Sequence, residues 1–359
     1  MCNLAAYAGT RPAAPILLEM LERQEGLCSG HFSGISTVCD GKVYTARVCG
    51  DSKRLRLETD AEKLPGTVGI AHSRTPGTTP TAAWSHPFPV GDRLAYCANG
   101  FSGCFSEWDH SGSLKALTDA GVRFLSEIDT PQTNPKRALP NGHTVHISEM
   151  NAQLLARAHF QGKLPLIAAL RRMFDEAPSE IVALAIAADE ERSVSALRFN
   201  QPLMWCRRED GTFLATSALA FPDELQSMAV AIPPCTTLTM TGERLTVEPM
   251  AEHAEFLCPE MKLSEAAGVI RKTLAERGEC TFKELVLEVA KLYPAGRASQ
   301  RAIASYIDLA EMLRSGEVEA VPSWVPASLP GAEAPQWRFR AASRGSGEFH
   351  WTAIGAARA

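Results

Sequence analysis

A succession of strand-like runs that meet through tight turns, with no helix between them, narrows the fold most. In "SGHFSGISTVCDGKVYTARVCG", residues 29–50, two β-rich runs flank Asp40-Gly41. That dipeptide readily takes the positive φ angles of a two-residue hairpin turn. Four more runs follow in series: "IVALAIAA", "SVSALRF", "PLMWCRR" and "TFLATSA". Then "TTLTMTGERLTVEPM" places Gly242 between two alternating halves, another hairpin. Strands joined this way form antiparallel sheets. Helical spacing appears in "APILLEMLERQ" and over 113–120, 149–160 and 163–176, which supplies covering layers. A buried strand is also expected at 3–8, and further strands in "TVGIAHSRT", "RLAYCANG" and "VRFLSEIDT". The reading is an α+β sandwich of helices on sheets.

The chain has 359 residues, 45% of them apolar, enough for two packed domains. A net charge of −5 argues against a broad nucleic-acid surface. No apolar run reaches bilayer length and no secretory leader is visible, so a soluble cytoplasmic protein is expected. Ten cysteines form no C-x-x-C pair and no zinc-ligand pattern. Nine read as small buried hydrophobes, and no metal or cofactor is expected.

Beyond Pro259 the pattern changes. Helical periodicity covers 263–277, 281–292 and 298–314, and "EVEAV" and "QWRFRA" read as two strands around the Pro/Ala-rich 320–335. This is the layout of a small helical, winged-helix-like domain, here assigned to 259–345, with a tail at 346–359. Arg297, Gln300 and Arg301 would face nucleic acid in such a domain. The many acidic residues of its helices favour docking on the first domain or on a partner.

The tenth cysteine, Cys2, follows the initiator methionine. Were Met1 removed, Cys2 would carry a thiol and an α-amine together, with reference pKa values of about 8.5 and about 7.7–8.0. An amine of that basicity can take the thiol proton. Arg74 ends a strand-like run, where a guanidinium can grip a carboxylate bidentately. Asn99-Gly100 offers a side-chain amide and a close-approaching backbone N–H for an oxyanion. Asp129, at another strand end, can meet an ammonium group. Singly, each is more often a surface salt bridge, a turn or a cap.

In order, "MCNL", "AHSRT", "WSHPF", "CANGF" and "SEIDT" resemble the class II glutamine amidotransferases, which are N-terminal nucleophile (Ntn) hydrolases. The likeness is to the glutaminase domain of glucosamine-6-phosphate synthase in particular, and it covers 2–258. The resemblance implies a four-layer αββα sandwich and hydrolysis of the glutamine amide through a thioester. It makes Cys2 the nucleophile with its own α-amine as base, and Asn99 and Gly100 the oxyanion hole. Arg74 and Asp129 would hold the substrate's carboxylate and ammonium, with Thr75 and His86 also at the substrate. Ammonia would pass to a separate acceptor synthase, and a homo-oligomer is compatible with this reading.

Three departures bear on the substrate. Asn3 replaces a glycine, Thr75 replaces an aromatic residue, and the arginine usual before the Ser-x-Gly-Ile turn is missing from "CSGHFSGI". His31 or Arg11 is a candidate for that space, and Trp84 for the aromatic wall. Two other readings follow from these changes: an Ntn amidohydrolase for another γ-glutamyl or amide substrate, and a non-catalytic glutamine sensor whose C-terminal domain binds DNA or protein.

Overall fold

The computed structural model of the chain describes residues 2–257, 262–294 and 298–342. The chain opens with β1 (Asn3–Gly9), α1 (Ala13–Cys28) and the hairpin of β2 (Phe32–Cys39) and β3 (Lys42–Val48). Asp40 and Gly41 turn that hairpin at φ 50° and 71°, as their residue types anticipate. Next come α2 (Ser52–Glu58), β4 (Val68–Arg74), β5 (Phe88–Val90), β6 (Leu94–Phe101), α3 (Ser111–Asp119), β7 (Ile128–Pro131) and β8 (His143–Thr144). Two helices, α4 (Ile147–Ala156) and α5 (Leu166–Glu176), precede β9 (Glu180–Ala187), β10 (Ser193–Arg198), β11 (Met204–Arg208) and β12 (Gly211–Ala215). The short α6 (Asp223–Gln226) leads to β13 (Val230–Ala231), β14 (Thr236–Thr241) and β15 (Leu245–Pro249).

These strands form two sheets, ordered β13-β11-β12-β1-β4-β2-β3 and β15-β14-β10-β9-β6-β5. Strand alternation divides their side chains between three cores. On β1, Ala5 and Tyr7 pack with Ile16, Leu17 and Leu21 of α1. The alternate residues Leu4, Ala6 and Ala8 pack with Cys97, Val182, Leu184 and Ala196 of the second sheet. That sheet's far face, with Tyr96, Ala183 and Leu197, meets Leu155 of α4 and Leu170 and Phe174 of α5. The order is helix, sheet, sheet, helix, the four-layer sandwich expected.

One expected strand is mostly absent. Of "VRFLSEIDT" only Ile128, Asp129 and Thr130 are extended as part of β7. The buried Glu149 carboxylate accepts the backbone N–H groups of Leu125 and Ser126 at 2.7 and 2.8 Å and holds the preceding residues in a turn.

The C-terminal part comprises α7 (Leu263–Arg277), β16 (Glu279–Thr281), α8 (Phe282–Val289), α9 (Ala298–Arg314) and β17 (Val318–Val321). It then continues through β18 (Trp324–Pro326), β19 (Glu333–Pro335) and β20 (Arg338–Ala341). Thr281 and Glu284 close a reciprocal capping box at the start of α8. The three helices share a core with Phe339 of β20, and Leu27 and Leu219 of the first domain enter it. The sheet β16-β20-β17 contains one strand more than the sequence indicated, and the Pro/Ala-rich stretch contributes its own ribbon, β18-β19. Pro259 and the expected boundary beside it, Arg297 and the tail 346–359 lie outside the described residues, as does the Gln300 side chain. Among the described residues no helix is long and apolar enough to cross a membrane.

Candidate active site

Strand register assembles the site. β4 pairs antiparallel with β1, setting His72 opposite Leu4 and Ser73 opposite Asn3. Leu4 faces the gap between the sheets, so Cys2, His72 and Arg74, each an even step along its strand, emerge at one end of that gap. From the other sheet Asn99 does the same, two residues after Cys97.

The Cys2 N–H donates to Asn99 Oδ1 at 3.1 Å. Asn99 is 1% exposed, and its amide nitrogen Nδ2 has no hydrogen-bond partner. A buried donor left unmade is costly, on the order of 1–3 kcal/mol. It is tolerated where a transient acceptor arrives. Gly100 follows at φ 144°, and a Cβ there would lie 2.1 Å from the Glu180 carbonyl oxygen. Only glycine fits.

The Cys2 Sγ lies 3.7 Å from Thr75 Oγ1. Burial, the largest single influence, pushes the thiol pKa up, but the His72 imidazole, the charge of the chain's amino terminus and the Thr75 backbone together outweigh it. The result is about 6, which makes the thiolate the main form at neutral pH. His72 itself is fully buried, and neither ring nitrogen has a partner at hydrogen-bonding geometry. Behind it stand His86, ring centroids 4.1 Å apart, and His146, 5.0 Å from His86. Burial first, then the neighbouring imidazoles and guanidinium groups, hold His86 and His146 well below the ordinary imidazole range. His86 thus serves as a neutral packing layer behind His72.

Arg74 is half-buried and forms no ion pair among the described residues. Its guanidinium lies 5.0 Å from the Phe32 ring centroid and 5.7 Å from that of Trp84. Two aromatic faces and no carboxylate partner among the described residues leave this cation ready for a substrate carboxylate. Trp84, the expected wall, is anchored by its Nε1 donating to Ser126 O at 2.9 Å. Asp129 stands apart: its side chain is 92% exposed and pairs with His143 Nε2 at 3.0 Å.

Of the two candidates for the missing arginine, Arg11 lies at the opposite end of β1, paired with Asp210. His31 is at the site. It is buried, its N–H donates to Arg74 O at 3.1 Å, and burial lowers its pKa to about 4. Asn3 turns towards α1, where its amide donates to Gln24 O and Ser29 Oγ, both at 2.7 Å. Its Oδ1 accepts from Tyr306 of α9 at 3.1 Å.

Sequence reasoning gave no role to His72, although it sits two residues before Arg74, the spacing that puts both on one face of a strand. Glu25 also passed unnoticed. Buried behind Ser73, it accepts from Ser33 Oγ, Ser52 N and Ser73 Oγ, each at 2.9 Å. No local pattern marks such a carboxylate.

The fold agrees with that of solved amidotransferases. The glutamine phosphoribosylpyrophosphate amidotransferase of B. subtilis superimposes with a TM-score of 0.56 at 15% identity, over 89% of this chain and 66% of that one. A structure described as the allosteric regulatory enzyme of purine biosynthesis gives 0.54 at 15% identity, over 85% of this chain and 63% of that one. In sequence, the glutamine–fructose-6-phosphate aminotransferase (isomerizing) of Tropheryma whipplei (strain Twist) is 31% identical over 238 residues. The chain is similar in sequence to these glutamine-dependent aminotransferases. That alignment covers 64% of this chain and 34% of the Tropheryma protein. The corresponding enzyme of Rhizobium leguminosarum bv. viciae is 28% identical over 225 residues, 61% of this chain and 32% of that one. The chain thus spans about a third of the length of these relatives. No protein-family model matches it.

Proposed function

We propose that this chain hydrolyses the side-chain amide of glutamine at Cys2, releasing ammonia for a separate acceptor enzyme. The observation that carries the reading is the Asn99 amide. Its oxygen accepts from the Cys2 nitrogen while its buried Nδ2 is unpartnered. One side chain thus connects the nucleophile's own residue to the place where an oxyanion would form.

Removal of Met1 turns the Cys2 nitrogen into an amine held by Asn99 Oδ1. The thiolate attacks the amide carbon, and the proton it lost resides on that amine. An S–C bond forms and the carbonyl oxygen becomes an oxyanion facing Asn99 Nδ2 and Gly100. Collapse breaks the C–N bond, the ammonium gives its proton to the leaving nitrogen, and ammonia departs. Water then attacks the thioester with the amine as base, which frees glutamate and restores the thiol. Arg74 takes the substrate carboxylate. Asp129, released from His143, takes the ammonium, with Thr75 beside the reacting sulfur and His86 supporting His72.

The test is ammonia and glutamate production from glutamine by the purified chain and by Cys2→Ala. Equimolar products from the wild type and none from the variant are expected. A wild type that has lost Met1 but leaves glutamine intact would end this reading.

A further inference from the structure

The C-terminal ribbon reaches the candidate site. In the loop between β18 and β19, Ser328 Oγ accepts the Gly77 N–H at 3.0 Å. With that lone pair engaged, its O–H is free to donate to His31 Nδ1, 3.3 Å away, which also receives the Ser328 N–H at 3.1 Å. His31 in turn donates its own N–H to Arg74 O. A closed ring results: Arg74, Gly77, Ser328, His31 and back to Arg74. It requires an unprotonated Nδ1 on His31, which burial favours.

Little slack remains around this ring. A Cβ on Gly77 would lie 3.1 Å from both the Arg74 guanidinium and the Phe32 ring, so the Gly77 backbone lies directly on the arginine. Thr75, within the same segment, touches the Cys2 sulfur. The ribbon is itself fixed to the first domain. Pro335 lies where a Gly30 Cβ would approach within 2.6 Å, and the Trp337 N–H donates to Gly26 O at 2.6 Å.

We propose that Ser328 is a positioning residue of the amide site. From the C-terminal domain it holds segment 74–77, and with it the Arg74 guanidinium and the Thr75 hydroxyl, in place over Cys2. The proposal rests on the glutaminase reading for its kinetic consequence but not for its geometric one. Without the hydroxyl, the Gly77 N–H loses its partner and the segment loosens. The effect falls on substrate grip, because Cys2, Asn99 and Gly100 lie on other elements.

Ser328→Ala and Ser328→Thr test this in the full-length protein. For S328A the KM for glutamine should rise about 3- to 10-fold, the size of one lost hydrogen bond, with kcat little changed. Alkylation of Cys2 by iodoacetamide, followed by mass spectrometry of its peptide, should quicken several-fold. S328T retains the hydroxyl and should return both values to those of the wild type. Equal KM and equal alkylation rates in wild type and S328A would overturn the proposal. So would a fall in kcat with KM and alkylation unchanged. A wild type inert towards glutamine would count against the function reading alone, and the alkylation comparison would still decide the role of Ser328.

Discussion

Replacing Asn99 by alanine removes two separate interactions. The first is the Oδ1 bond to the Cys2 nitrogen at 3.1 Å, a net contribution of about 0.5–1.5 kcal/mol. The second exists only in the transition state, when the unpartnered Nδ2 meets the oxyanion; such donors are typically worth about 3–4 kcal/mol. Together they amount to roughly 3.5–5.5 kcal/mol of barrier, a fall in kcat on the order of 10² to 10⁴-fold. KM should change little, because the amide oxygen of bound glutamine carries only partial charge. Stability should behave differently. Deleting a buried, unsatisfied donor relieves a cost of about 1–3 kcal/mol, which offsets the lost bond and the small void. The melting temperature is therefore expected within a few degrees of wild type while turnover collapses. Steady-state glutaminase kinetics beside thermal denaturation provide the assay. A variant that retains kcat within about fivefold, or loses turnover only by unfolding, would refute the oxyanion role.

Other consequences follow from the same geometry. His72→Asn removes the group that draws the Cys2 thiol down to about 6, so the midpoint of the pH profile for Cys2 alkylation should move upward by a unit or more; an unmoved midpoint would separate His72 from the thiolate. Arg74→Gln should raise the KM for glutamine about 10- to 100-fold, the loss of a charge-assisted pair, whereas an unchanged KM would place the substrate carboxylate elsewhere. Glu25 is pushed up to about 7, by burial first and by the charge of Asp51 next, against the lowering hydrogen bonds from Ser52 and Ser73. Because its folded pKa lies above the unfolded value of about 4.3, its contribution to stability is complete at low pH and is lost as pH rises through 7. Melting temperature measured across pH 4.5–7.5 should therefore fall more steeply for wild type than for Glu25→Gln, and the opposite ordering would contradict the assignment.

The sheets were legible because their signals are local. Asp40-Gly41 and Gly242 mark turns, and the unbroken run of small apolar residues in "NLAAYA" reveals a buried strand. The ordered set Cys2, Arg74, Asn99-Gly100 was legible for a different reason: each member occupies a strand end, and register carries strand ends into one cleft. His72 was readable in principle, since a strand that aims Arg74 at the site must aim residue 72 there too. The contributions of Glu25 and Ser328 were not, and His31 was legible only as one candidate for the space of the missing arginine. They depend on contacts between segments far apart in sequence, and a serine in a Pro/Ala-rich stretch carries no mark of the glycine it will bind. "VRFLSEIDT" misled for the same reason, because the carboxylate that holds it as a turn comes from Glu149 on α4. Asp129 illustrates a further limit: a motif can specify a residue type while its side chain is paired elsewhere, here with His143.

The central claim is that Cys2, freed of Met1, forms a thioester with the glutamine acyl group. The most direct test is to mix the purified protein with glutamine, quench in acid during turnover and determine the mass of the N-terminal peptide. The peptide should begin at Cys2 and carry a γ-glutamyl adduct on its sulfur, with no adduct in Cys2→Ala. A peptide that begins at Met1 in fully active protein, or glutamate formed at full rate by Cys2→Ala, would contradict it.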